Sequence, residues 1–482
     1  RTQGESGGTT MGKIMGVADA TMDVLSSNGI SIGSQKSSAT QNGSTSTARV
    51  SSLNAGNNLT MIATEGSIDS QGTQMSAEGD ALILARDNIN FDVAHNYETQ
   101  DSNSKSSGWN AGINLGIIPF GMNKGKSTGD GVTDTITGTQ LSVGGNATLA
   151  TTKGDITLTA ANIVANENVN INAARNLTVQ SGQDTAANEN HSDNKAIGSV
   201  RISDTERFWG YHTEKHNDNG ANVTQVSSNI ASLGGNVNLK AGEKYTQTAS
   251  NVMAANDINV TAKSIELLTA DNTGVHHDDD KSLKVGVFAR VTSPLIDLVN
   301  NVDAARKSDD RLAAMQGMAA GANAYQAASA ASALVGGPGS GTLAKAEVGV
   351  GVASAKSRND SQYQISQGSS ISAGGNLNLT STEGDIHGVQ ATLAAGKTLT
   401  LDSANNILLE AGESHTESSG KNSNWGVEVG VGVQVGAQTG AYAYATANVG
   451  KGKYETSSTT YSNTHLTGET INIKSKGDTT LK

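Results

Sequence analysis

The segment Ile371-Ser372-Ala373-Gly374-Gly375-Asn376-Leu377-Asn378-Leu379-Thr380-Ser381 decides the fold, together with its continuations Gly384-Asp385-Ile386, Leu393-Ala394-Ala395-Gly396-Lys397-Thr398-Leu399-Thr400-Leu401 and Asn406-Ile407-Leu408-Leu409. Apolar and polar residues alternate in short runs, which is the period of a strand and not of a helix. A Gly, Asn or Asp corner separates the runs, as suits residues that tolerate left-handed backbone angles. Leu377, Leu379, Leu399, Leu401, Ile407 and Leu409 form the inward rows, with Asn378, Thr400 and Leu408 between them.

The layout recurs along the chain. With the Gly-Asn corner as origin it falls at Asn58, Asn146, Asn236, Asn376 and, in weaker form, Thr470, with separations of 88, 90, 140 and 94 residues. Further corners follow at fixed offsets: Ser67, Asp155 and Asp385; then Asp80, Asn168 and Thr398; then Asn88, Asn176 and Asn406. The third unit drifts by a residue or two, to Asp257 and Ser264. A spacing of about 22 residues matches one coil of a parallel β-helix with three short strands, rising about 4.8 Å per coil. The expected fold is therefore all-β: a right-handed parallel β-helix (solenoid) with extruded β-hairpins and one α-helical insertion. Separate β-sandwiches would need self-contained units of about 100 residues, and these thin repeats lack the core. The expected divisions are 1–41, the tail of a preceding insertion outside the helix; repeat units 42–140, 141–229, 230–370 (with a helical insertion at about 293–335) and 371–465; and the start of another at 466–482.

Composition agrees with a thin, renewed core. Of 482 residues, 35% are hydrophobic and 3% aromatic, while Gly numbers 57 and charged residues are 16%. The net charge of −12, with no basic cluster along the sequence, argues against nucleic acid as a partner. There is no cysteine, so disulfides and thiolate metal sites are excluded. The opening Arg1-Thr2-Gln3-Gly4 falls mid-pattern with no apolar signal segment, which reads as an internal fragment.

Between the regular stretches lie polar segments followed by Gly-alternating apolar ones: 99–107 then 109–121, 276–281 then 283–291, and 413–424 then 425–435, with a return at 441–449. The second unit has a more polar counterpart at 200–212. These read as hairpins extruded from the shaft. Val427, Val429, Val431, Val433 and Val435 share one face, with Gly426, Glu428, Gly430, Gly432 and Gln434 on the other. Such alternation with an aromatic at its end resembles a transmembrane β-strand. It equally suits a half-buried hairpin packed on the shaft or on a neighbouring hairpin, the commoner case. Candidate membrane or partner contacts are Trp109, Ile117, Ile118, Phe120, Trp425, the five valines, Tyr442 and Tyr444. Candidate structural turns are Asn58, Asn146, Asn236, Asn376, Asp155, Asp385, Asn88, Asn176 and Asn406. In the third unit, Ser293-Pro294 reads as a helix start and 336–341 as a breaker. Residues 312–344 carry no charge, although their Gln, Asn and Ser content favours a packed helical hairpin over a bilayer span.

No motif points to catalysis, a cofactor or a metal. His276-His277-Asp278-Asp279-Asp280 falls in an expected loop, where adjacent side chains do not readily converge on one ion. Gly396-Lys397-Thr398 lacks the earlier Gly of a phosphate loop, having Ala391 there. Lys153-Gly154-Asp155 and Lys476-Gly477-Asp478 occupy repeat turns. An enzyme of the β-helical, polysaccharide-processing kind would need carboxylates clustered on one face.

The elements Ile371-Ser372-Ala373-Gly374-Gly375-Asn376-Leu377-Asn378-Leu379, Glu383-Gly384-Asp385-Ile386 and Lys476-Gly477-Asp478-Thr479-Thr480-Leu481-Lys482 resemble the haemagglutinin repeats of filamentous-haemagglutinin-type exoproteins. They are most similar to the second repeat region found in contact-dependent growth inhibition effectors. The resemblance implies a β-helical filament exported by an outer-membrane partner of the two-partner secretion type, engaged through an N-terminal domain outside this sequence. It implies a secreted chain at the bacterial cell surface, associated with the target cell's outer membrane or a surface receptor, where this region assists delivery of a C-terminal toxin. In adhesins the corresponding region is a passive stalk for adhesion or haemagglutination. Lipid binding separates the two.

Overall fold

The structure, a computed structural model, describes residues 30–113, 120–201, 206–292, 342–436 and 440–482. All regular elements among the described residues are strands, and they form four sheets of nine. Three sheets consist of short parallel strands wound round one axis as a β-helix of nine coils. The first coil comprises Ser52–Ala55, Leu59–Ala63 and Ile68–Gln71; the second comprises Gln74–Ala77, Ala81–Ala85 and Ile89–Asp92. They stack in register, with Leu53 beside Met75, Met61 beside Ile83 and Ile68 beside Ile89. Later coils begin at Gln140, Asn162, Asn229, Asn251, Ser370, Thr392 and His465.

The fourth sheet is antiparallel and built from long strands: Ile30–Ser46, Ala94–Ile113, Phe120–Thr137, Gly182–Arg201, Glu206–Val226, Ala270–Thr292, Thr342–Gln367, Gly412–Gly436 and Gly440–Ser462. After every second coil the chain leaves the shaft, runs out and returns. The hairpins are not separate projections, as the sequence suggested. Each outgoing strand also pairs with the previous hairpin's return strand, for example Ile197 with Met122, Tyr211 with Val285 and Val352 with Val427. At 276–291 and 413–435 the polar and apolar stretches are the inner and outer parts of one continuous strand, while in the first interruption 99–113 lie in the outgoing strand and Phe120 opens the return strand. The expected helical insertion at 293–335 lies outside the described residues. No helix among the described residues is long and apolar enough to cross a membrane.

Alternation fills the shaft. Leu377, Leu379, Leu399, Leu401 and Ile407 are fully buried and Leu409 nearly so. Among the described residues the largest fully buried side chain is Tyr245, whose hydroxyl donates to Gln247 Oε1 at 2.9 Å, while Gln247 Nε2 donates to Ser250 O at 2.7 Å. Burial pushes the Tyr245 hydroxyl well above its usual range.

Corner residues are tied into ladders. Asn58 Oδ1 accepts the Asp80 N–H at 2.8 Å, Asp80 that of Asn146 at 2.7 Å, Asn146 that of Asn168 at 3.1 Å, and Asn168 that of Asn236 at 2.8 Å. Asn236 then accepts from Asp257 at 2.9 Å, Asp257 from Asn376 at 2.6 Å and Asn376 from Thr398 at 3.3 Å. At the second corner Asn88 accepts from Asp155 and Asp155 from Asn176, each at 2.9 Å; Asp385 accepts from Asn406 at 2.9 Å, and Asn406 from Asp478 at 2.8 Å. Between Asn176 and Asp385 the corner is shorter, which is the origin of the third unit's drift. There Lys263 bridges Glu243 at 3.3 Å and Glu383 at 3.5 Å.

Each excursion is closed at its root by a hydroxyl. Where the chain returns, Thr139 Oγ1 reaches the Asp92 carbonyl (3.3 Å), Ser228 Oγ that of Gln180 (2.7 Å), Ser369 Oγ that of Leu268 (3.0 Å) and Thr464 Oγ1 that of Glu410 (2.9 Å). Those carbonyls belong to the residues from which the chain departed. Gly138 and Gly368 precede two of these hydroxyls, and a Cβ there would lie 1.8 and 1.9 Å from the carbonyls of Ala160 and Gln390. Ala160 and Gln390 themselves turn the coils that have no excursion, with φ of 47° and 49°.

Ser228→Ala leaves the Ala161 N–H, which Ser228 Oγ accepts at 2.9 Å, without its buried partner, and leaves the Gln180 carbonyl with the Ala160 N–H alone. The expected loss is about 1–3 kcal/mol, read by urea unfolding, with faster amide exchange at Ala161; unchanged exchange there would discard the clasp. Leu379→Ala, at a fully buried site, is expected to cost about 2–5 kcal/mol, against under about 0.5 kcal/mol for the exposed Asn54→Ala, in the same assay.

Candidate functional site

The long-strand sheet distinguishes this chain from a plain shaft. Its cross-strand register sorts side chains into rows, because residues directly opposite one another share a face. One row in the outer half runs Ser34, Trp109, Met122, Ile197, Tyr211, Val285, Val352, Val427 and Ala447. On the same face, further out, stand Phe120, Trp209, Val350 and Val429, then Val348 and Val431. Apart from the half-buried Val352, these side chains are exposed: Val431 is 64% accessible and Trp425, nearer the shaft, 47%.

The opposite face is polar, glycine-rich and concave. Six consecutive strands contribute to one trough of about 940 Å³, lined by Asn194, His216, Asp280, Ser357, Asn424 and Gly452 among others, so the sheet is curled. Outward of the trough, Gly210, Gly286 and Gly351 stand in one row. A Cβ at Gly210 would come 2.3 Å from the Val285 carbonyl. Phe208 and Phe288 pack here with ring centroids 5.0 Å apart. Glu428 is buried on this face, paired with Arg290 and accepting the Tyr444 hydroxyl, while Tyr442 donates to Glu347. Loss of hydration, and then the neighbouring carboxylates, push both tyrosine hydroxyls up to about 12.

The sequence-derived contact residues divide accordingly. Trp109, Phe120, Trp425, Val427, Val429, Val431 and Val433 share the convex face. Val435 lies in the same strand, Gly412–Gly436; Ile117 and Ile118 lie outside the described residues. Tyr442 and Tyr444 do not join the valines. They stand opposite Gly432 and Gly430 on the concave face, while Ala443 and Ala445 stand opposite Val431 and Val429. The register sets this, and it places each tyrosine ring over a glycine. Sequence reading missed Met122, Ile197, Trp209 and Tyr211, because the second unit's apolar positions are spread through a polar stretch.

Two further readings change. Residues 276–280 lie in the strand Ala270–Thr292, not in a loop, because the long strands continue through the polar segments. Alternation and pairing bring Asp278 and Asp280 together with His216 of the adjacent strand, their ligand-type atoms within 4.8 Å. His216 Nδ1 lies 2.7 Å from Asp280 Oδ1, so an ion pair accounts for the contact when the imidazole is protonated. The chain also has a basic cluster after all. Eleven residues out from the shaft, one convex row reads Ser38, Lys105, Lys126, Asp193, Lys215, Lys281, Lys356, Ser423 and Lys451. These lysines are scattered in sequence and meet only through strand pairing.

A family model described as hemagglutinin repeat matches residues 32–198, 209–295 and 349–482. Over 353 residues the chain is 28% identical to Toxin CdiA of Yersinia pestis, covering 71% of this chain and 10% of that protein. It is 29% identical over 342 residues to Deoxyribonuclease CdiA of Yersinia pseudotuberculosis serotype O:3 (strain YPIII), covering 68% and 31%. To tRNA nuclease CdiA of Escherichia coli (strain STEC_O31) it is 27% identical over 352 residues, covering 70% and 11%. The chain thus spans a tenth to just under a third of the length of these relatives. No solved structure matches it. Paired coils, a recurrent corner and the family match over most of the sequence agree: the chain belongs to the hemagglutinin repeat family, as a filamentous-haemagglutinin-type region similar to those of CdiA toxins.

Proposed function

We propose that this chain is a filament segment of a large secreted exoprotein that contacts the target cell's outer membrane and assists passage of a toxin carried elsewhere in the parent protein. The shaft, wound right-handed and divided into the units set out above, supplies length and rigidity. The curled sheet supplies the contact. An outer-membrane partner of the two-partner type exports the parent protein and leaves it at the cell surface.

The observation that carries this reading is the exposed apolar convex face, from Trp425 to Val433, backed by a polar concave face that holds Glu428 and Arg290. A surface of this size that is apolar outside and polar inside suits lipid on one side and water on the other. The edge strands Ile30–Ser46 and Gly440–Ser462 are each paired on one side only among the described residues. Open edges are not tolerated within hydrocarbon. The convex face therefore lies against the membrane, and spanning it would require both edges to be paired by further strands.

Replacing Val427, Val429, Val431 and Val433 together by Ser is expected to weaken association with vesicles of outer-membrane lipids by at least about tenfold. The shaft should remain folded by circular dichroism, and toxin delivery by the full-length parent should fall in parallel. A passive adhesin stalk predicts no vesicle association at all. That result, or full delivery by the variant, would discard the membrane reading.

A further inference from the structure

We propose that the lysine row is a phosphate-binding belt, which docks the convex face on anionic lipid headgroups and holds its apolar half against the bilayer surface. This rests on the membrane-contact reading above and names the chemistry that the contact recognises.

Lys105, Lys126, Lys215, Lys281, Lys356 and Lys451 occupy six of nine positions in a single cross-strand row, and all six are exposed. The next row outward adds Lys36, Lys124 and Lys195 on the same face. Some of this charge is neutralised locally, since Asp193 lies 3.5 Å from Lys215 and 3.7 Å from Lys195, and Asp279 is 2.8 Å from Lys281. Lys105, Lys126, Lys356 and Lys451 make no ion pair with a described residue. In a chain of net charge −12, such alignment runs against the average field. Lysine is a mobile point charge on a long apolar stem, suited to phosphate groups whose positions are not fixed.

The levels on either side identify the surface. Outward of the belt, the apolar half of the convex face begins at Trp425 and continues through Val433. Inward by four residues, the same face carries Asp101, Asp130, Glu189, Asp360 and Glu455 in one row. Apolar, then basic, then acidic is the order of an element seated at an anionic lipid surface. The acidic row is repelled at the depth where the basic row is satisfied. Nucleic acid would need the belt but gives no role to the exposed apolar half beside it.

The test uses the full chain with vesicles of phosphatidylcholine alone, or with phosphatidylglycerol added. Wild type is expected to bind the anionic vesicles at least about tenfold more tightly, an advantage that high salt removes. The variant with Lys105→Gln, Lys126→Gln, Lys356→Gln and Lys451→Gln should lose that advantage and keep its binding to neutral vesicles. Lys284→Gln, on the concave face, should change neither. Retention of the anionic advantage by the fourfold variant would overturn the inference, as would tighter binding to duplex DNA than to anionic vesicles. Equal binding of wild type to both vesicle types would overturn it while leaving the membrane reading intact. Binding to neither would remove the membrane reading itself.

Discussion

Two spacings match in this molecule, and the rest depends on it. Stacked coils and paired strands share one repeat distance of about 4.8 Å, since both are set by the backbone hydrogen bond. Two coils therefore advance the axis by the width of two paired strands. An excursion after every second coil delivers one hairpin in each such step, and neighbouring hairpins meet at bonding distance. The equal count of nine strands in all four sheets follows from this. An excursion after every coil would crowd the outer sheet, and one after every third would leave gaps and exposed edges.

The match also fixes composition on the two faces of the outer sheet. A pleated strand has no choice but to alternate, so an apolar convex face requires a concave one that is small or polar. The glycine row through Gly210, Gly286 and Gly351 lets the strands close up where the sheet curls; Phe208 packs on Phe288 beside Gly210, and Tyr444 lies over Gly349 and Gly430 in the next row. The Arg290 guanidinium stands between Glu428 and Glu347 on this face, so the buried charges there are shared among several partners.

Local features were the ones legible in the sequence. The leucine rows around Asn376 and the corners at Asn58, Asn146 and Asn236 each depend on a few neighbouring residues, so their spacing shows the shaft. The outer sheet was legible only as isolated hairpins, because its lateral pairs join residues such as Val352 and Val427 from different units. Its basic row was invisible for the same reason. Lys126 and Lys215 lie in separate units and share a face only after the register is known. That Tyr442 and Tyr444 stand on the face opposite the valines was not legible, because strand alternation says which residues go together, not which partner they oppose. The hydroxyls of Thr139, Ser228 and Ser369 are inconspicuous in a Ser- and Thr-rich chain, although each stands seven or eight residues before an Asn corner.

Those hydroxyls separate the shaft from what it carries. The same bond closes excursions of very different span, 47 residues from Asp92 to Thr139 and 101 from Leu268 to Ser369. Closing a loop of twice the length costs only about 0.6 kcal/mol more. The shaft is thus indifferent to the cargo at its tips. Segments can be lengthened, exchanged or acquired at the outer end of any hairpin without a compensating change in the core, so the filament can diversify its outward face while its scaffold stays under unchanged selection.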